Sequence, residues 1–314
     1  MSKISLTNTE ISRYVEELNS LKEADRAVAK LIACGLRAIE PLRQFLLDGK
    51  PSAIYQPRQR AVEALAGLEA KEVLLEYLRQ NKEIADPDVQ LGEEAVESTA
   101  ARQLSRWSSE EVYQVLLETA QQRFLPGALE ALGEFKRPES IPYIVMALED
   151  DFCRPAAEDA LRKIGPSTRL ELIRATLTPR PNKEVETPSS LRRRGSSARL
   201  LAEIGISADE WLQLRQLLNE TDPAILVSVS KIASRDAGTK DKVFAAQRLI
   251  EALETADWYF REEIANILID LFDIARSFVE ERIVQRNQLP NEKRVVDPVL
   301  LALLRVKHRV EEKH

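Results

Sequence analysis

The chain has 314 residues, 45 Lys and Arg against 51 Asp and Glu, and a formal net charge of −6. Hydrophobic residues make up 44% but aromatics only 5%, with ten glycines, so the apolar mass is Leu, Ala, Ile and Val, which suits helices and argues against a β-sandwich. The two cysteines, Cys34 and Cys153, lie far apart, and both histidines, His308 and His314, fall in the last seven residues, which excludes a disulfide framework and any histidine-based catalysis or metal binding in the body.

The first thirty residues carry Glu10, Glu16, Glu17, Glu23 and Asp25 with no apolar core of signal-peptide type. The longest purely apolar runs, such as residues 299–304, are far short of the ~20 residues that span a bilayer. With unpaired cysteines, the expectation is a cytoplasmic protein that does not engage a membrane.

Along the chain, helix starts are well marked. Leu6, Thr7, Glu10 and Ile11 are spaced as a capping box with a hydrophobic staple, and Ile11, Tyr14, Val15 and Leu18 follow at helical spacing. The same arrangement recurs at Trp107-Ser108 with Glu111, and at Ile206-Ser207 with Glu210. Asp86-Pro87, Asp222-Pro223 and Asp297-Pro298 each place an acceptor before a proline that needs no donor at the first helical position. Sustained period-two alternation is missing, so the chain reads as all-α.

Blocks of small residues ending in glycine repeat: Ala61 to Gly67, Ala128 to Gly133, Ala156 to Gly165 and Ala198 to Gly205. The glycines are expected to be left-handed C-caps. Gly35 and Gly67 are 32 residues apart, as are Gly133 and Gly165. A second helix follows each block, seen in Ile39, Pro41, Leu42 and Leu46, and again in Ile141, Pro142, Ile144 and Leu148. A pair of this kind cannot bury its own core and must stack on the next.

The clearest unit runs from Leu148 through the acidic turn Asp150-Asp151, Arg154 and the small pair Ala156-Ala157 to Ile164-Gly165. This block resembles the HEAT repeat of the short bacterial kind, the phycobilisome-lyase HEAT-like repeat. The resemblance implies an α-solenoid, a right-handed superhelix of antiparallel helix pairs. It covers residues 20–275 in about seven irregular units, between an N-terminal capping helix at 1–19 and C-terminal capping helices at 276–314. Residues 178–190, with three prolines, read as a loop insertion, and residues 81–92 as a shorter polar connector. The last helix carries Val299, Leu303, Val306 and Val310 on one stripe with Leu300 and Leu304 beside it; it reads as an end cap, with pairing of two copies as the alternative.

No nucleophile has a base near it, no phosphate-binding glycine loop is present, and the acidic pairs at Glu149-Asp150-Asp151 and Glu262-Glu263 read as helix starts, so no catalytic residue, metal ligand or cofactor is assigned. Charge is uneven: residues 153–205 hold 11 basic and 6 acidic groups inside an acidic protein. Arg154, Arg192, Arg193, Arg194 and Arg199 are therefore candidates for binding a partner with an acidic surface, or the phosphates of nucleic acid. The alternative is structural, since arginines in such arrays bond loop carbonyls and turn aspartates. Trp258, Tyr259 and Arg261 form a second candidate contact: three consecutive aromatics, Trp258 to Phe260, cannot all face one core, and aromatic-arginine clusters are favoured anchors. The function expected is a non-enzymatic adaptor or scaffold that binds a protein through its curved face and basic middle. The resemblance also admits a bilin lyase subunit and a nucleic-acid-binding protein of the HEAT-like alkylpurine glycosylase type.

Overall fold

The computed structural model describes residues 8–80, 82, 84–182, 185–290 and 297–312. Leu6 and Thr7 of the first capping box, and His314, lie outside them. The described residues are mainly helical, and the chain divides into two compact units, Met1–Ile164 and Gly165–His314.

The first unit contains α1 (Asn8–Glu17), α2 (Ala24–Ala33), α3 (Ile39–Leu47), α4 (Gln56–Gly67), α5 (Lys71–Arg79), α6 (Pro87–Leu104), α7 (Glu110–Gln122), α8 (Pro126–Phe135), α9 (Ile141–Met146) and α10 (Arg154–Ile164). Each even-numbered helix packs on the next even one from α2 to α10, and each odd-numbered helix on the next odd one from α1 to α9. Sequence neighbours such as α1 and α2, or α7 and α8, also pack together. Ile11, Tyr14, Val15 and Leu18 are buried, as their spacing predicts.

The second unit contains α11 (Arg169–Leu177), β1 (Pro181–Asn182), β2 (Val185–Glu186), α12 (Pro188–Ile204), α13 (Ala208–Leu214), α14 (Pro223–Asp236), α15 (Thr239–Ala252), α16 (Trp258–Asp270), α17 (Phe272–Asn287) and α18 (Pro298–Glu311). Here α12, α14, α16 and α18 pack in succession, while α11 packs on α13 and α15 on α17. Leu249, Ile264, Leu268, Val279, Leu303 and Val306 share one core across α15 to α18.

Side-chain caps mark seven of the described α-helix starts. Asp86 accepts from the amides of Asp88 and Val89, Asp222 from Ile225, and Asp297 from Val299 and Leu300. Ser207 and Glu210 close a full capping box. At α7 the cap is Ser109 rather than Ser108, and Glu111 instead meets Arg79 of α5 at 3.0 Å. The connector expected over 81–92 is shorter, because Pro87 already opens α6. Within the 178–190 insertion, β1 and β2 pair antiparallel, Pro181 with Glu186 and Asn182 with Val185, and Thr187 caps α12.

The repeat glycines serve two purposes, where the sequence suggested one. Gly165 and Gly205 are left-handed, with φ of 78° and 81°. Gly67 and Gly133 are not; the left-handed residues there are Glu69 and Lys136. These two glycines allow close approach instead: a Cβ at Gly133 would stand 2.8 Å from Ala160 Cα, and one at Gly67 would stand 2.6 Å from Ile32 Cδ1. At Gly133 the close atom is backbone, so a side chain there would push the stacked helices apart, whereas at Gly67 it is the end of the Ile32 side chain, which would have to turn aside.

Candidate functional site

The basic stretch is where composition and geometry part. α12 is flanked by both α11 and α14, so its buried arc is wide and takes in charged residues. Arg193 and Arg194 are only 4% and 3% exposed. Arg193 donates from Nη2 to the Thr178 carbonyl at 2.6 Å. Arg194 donates to the Thr176 carbonyl at 2.8 Å and to Glu186 at 2.6 Å, and it also pairs with Glu220. Glu186 in turn accepts from Ser190 Oγ. Arg194 thus fastens the hairpin insertion to the ends of two helices, and the expectation that Arg193 and Arg194 form a partner surface is corrected. A guanidinium that is stripped of water needs carbonyl or carboxylate partners on several sides; Arg194 has them, while the Nε of Arg193 is buried without a hydrogen bond. Ser196, downstream of the basic run, is buried too.

The remaining candidates differ. Arg199 is exposed and Arg192 half-buried, while Arg154, in the first unit, pairs with Asp151 at 2.8 Å. Carbonyl bonding recurs along the chain: Arg58 to Leu46, Arg106 to Ala66, Arg235 to Ala202, and Arg248 to Leu218. Helix ends leave carbonyls without intrahelical partners, and arginines of later helices satisfy them.

Trp258, Tyr259 and Phe260 open a helix, with Asp257 accepting from the Phe260 amide at 2.9 Å. Successive helical residues point about 100° apart, so one of the three faces inward. Phe260 packs on the core, while Trp258 is 79% and Tyr259 49% exposed. Their rings meet edge to face, 6.1 Å apart, and Tyr259 meets Phe260 likewise at 5.3 Å. Arg261 donates to the Leu253 carbonyl at 3.1 Å, closing the end of α15. Trp211 is buried and donates to Asp241, and Trp107 is half-buried and donates to Glu69.

One polar cluster escaped the sequence reading. Glu93 and Glu97 lie one turn apart on the buried face of α6, in the register of Ala100 and Leu104. Glu93 pairs with buried Arg58 and accepts from Tyr77 at 2.8 Å. Glu97 Oε1 accepts from Arg123 at 2.8 Å, while its Oε2 is buried without a hydrogen bond. Burial pushes the Glu97 carboxyl up to about 7, with Arg123 opposing and Glu93 adding. The signal was legible in principle: acids at i and i+4 on a stripe otherwise apolar. The cluster holds helices together and stores a titratable proton; it presents no nucleophile to solvent.

Compared with known proteins, the chain matches no family model, and no curated protein matches it significantly. The HEAT-like resemblance therefore rests on the repeat residues themselves. No described helix is long and apolar enough to cross a membrane.

Proposed function

We propose that this protein is a non-enzymatic adaptor, a HEAT-like α-solenoid that binds a protein partner. Supporting the solenoid is the packing of alternate helices within each unit, which stacks helix pairs that have no core of their own. The observation that carries the adaptor reading is the exposed pair Trp258 and Tyr259 on a capped, rigid helix start. Aromatics held this way lose little entropy on binding and are the commonest energetic anchors of interfaces. The acidic-partner element of the reading now rests on Arg199 and Arg192, since Arg193 and Arg194 are internal; the same burial removes cations that phosphate recognition would use. A cytoplasmic location belongs to the same proposal.

Quantitative capture from native extract, with the wild type and the W258A/Y259A variant as parallel baits, tests it. Loss of one anchor of about 2 kcal/mol weakens binding about thirtyfold, so a true partner should all but vanish from the variant. Identical protein sets on both baits, or none on either, would refute the proposal.

A further inference from the structure

The two buried acids of α6 are held unequally. Glu93 is pinned from two sides, by Arg58 of α4 and by the Tyr77 hydroxyl of α5 at 2.8 Å. Glu97, one turn on, accepts from Arg123 at Oε1, and its Oε2 is buried without a hydrogen bond. Arg123 is not a core residue: its side chain is 19% exposed, and it belongs to the 123–125 linker between α7 and α8. The next linker residue, Phe124, reaches the start of α10 through its carbonyl, which accepts from the Cys153 thiol at 3.5 Å. Cys153 is only 3% exposed. A chain of contacts thus runs from the Glu97 carboxyl through two adjacent linker residues to a covered thiol.

The surroundings of Glu97 keep it neutral in mildly acid solution. Among the described residues, the charged and titratable groups around it are Glu93 and Glu94 on α6, Arg58 on α4, Tyr77 on α5, Lys82 ahead of α6, and Arg123. Arg58 is committed to Glu93, and the acids of α8, Glu130 and Glu134, to Arg102 and Lys163. Burial is the largest influence on the Glu97 carboxyl and pushes it up to about 7, with Arg123 opposing. Once ionised, Oε2 needs a donor or water. α6 itself is fastened by Arg58, by Tyr77 and by the Gly127 amide on Ser98 Oγ. The side that can yield is the one where Arg123 already reaches solvent.

We infer that the first unit carries a proton-controlled latch, in which ionisation of Glu97 releases the 123–125 linker together with Arg123 and uncovers the Cys153 thiol. The latch is closed while Glu97 holds its proton, and the opened fraction rises with pH, because the closed state binds that proton more tightly than the open one. With the carboxyl at 4.5 when hydrated and at about 7 when buried, the opening constant grows about tenfold between about pH 6 and about pH 8.5, then levels off. Opening of this kind exposes little surface and precedes unfolding of the unit. The latch is independent of the adaptor reading and shares no residue with Trp258 and Tyr259.

The test is the rate at which N-ethylmaleimide labels Cys153 in the full-length protein, with C34S removing the half-buried competitor, in the presence and absence of E97Q. Burial, Asp150 and Glu94 set the thiol's own ionisation, so the ratio of the two rates at each pH reports opening alone. From about pH 6 to about pH 8.5, the rate of C34S relative to C34S/E97Q should rise about tenfold. Adding about 1 M urea should change each rate by less than about twofold, as a local opening requires. E97M supplies a second reference without a titrating group should E97Q fail to fold. A ratio that stays within about twofold across the range, or that falls as pH rises, would overturn the inference. So would rates that climb more than about tenfold in the same urea, since Cys153 would then be reached only through global unfolding.

Discussion

Replacing Glu97 with Gln isolates the ionisation of a buried carboxyl in the first unit. The carboxyl is 2% exposed, with one oxygen on Arg123 and the other unbonded. Its pKa rises from 4.5 to about 7, chiefly through loss of hydration. The folded state therefore holds this proton more tightly than the unfolded chain. The stabilisation is complete below about pH 4.5 and is lost as pH climbs to about 7. At 1.36 kcal/mol per pK unit, that difference corresponds to roughly 3 kcal/mol. Glutamine keeps the shape but cannot ionise, so the variant lacks this component of the pH dependence. Urea unfolding of both proteins across pH 4.5 to 8 measures it. The stability of E97Q relative to wild type should improve by roughly 3 kcal/mol from the acid to the alkaline end, since all other titrating groups cancel in the comparison. Curves that stay parallel within about 0.5 kcal/mol would refute the argument that burial governs this carboxyl.

Other consequences concern packing and reactivity. A methyl group at Gly127 would lie 1.8 Å from the Ser98 carbonyl oxygen, so G127A should cost about 3 kcal/mol in urea unfolding, as α6 and α8 separate. R58M strands Glu93 inside the protein with Tyr77 as its remaining partner, and a loss of roughly 3–5 kcal/mol is expected, whereas R58M/E93L should recover most of it. Cys153 is buried and its thiol is pushed up to about 12 by burial and by Asp150, so a thiol reagent at neutral pH should label half-buried Cys34 first; equal rates would contradict the burial. Leu301 and Leu304 lie on the exposed side of α18, and the end-cap reading expects wild type and L301E/L304E to sediment alike as monomers; a wild-type dimer that the variant loses would favour pairing through this helix.

Much of the fold was legible because its determinants are local. Asp86, Asp222 and Asp297 cap the helices they precede, since a carboxylate one residue before a proline has free amides within reach whatever the rest of the chain does. The stripe Val299, Leu303, Val306 and Val310 is buried as its spacing requires. The aromatic trio divided as helical geometry demands, although its position in the first turn of α16 depended on Asp257.

The candidate site was less legible, because burial of charge is a property of neighbours. Arg192, Arg193 and Arg194 are identical in sequence terms, yet two of them are internal: α11 and α14 close on α12 from both sides, and Thr178 arrives from elsewhere in the chain to meet Arg193, as Thr176, Glu186 and Glu220 do to meet Arg194. The sequence by itself determined which segments are helical, where they start, and that small residues let them stack. Tertiary structure decided which glycines turn the chain and which admit a neighbouring helix, and which cations face water. Those outcomes depend on the distance between groups remote in sequence, and the cost of dehydrating a charge is set by that distance rather than by the residue's own identity.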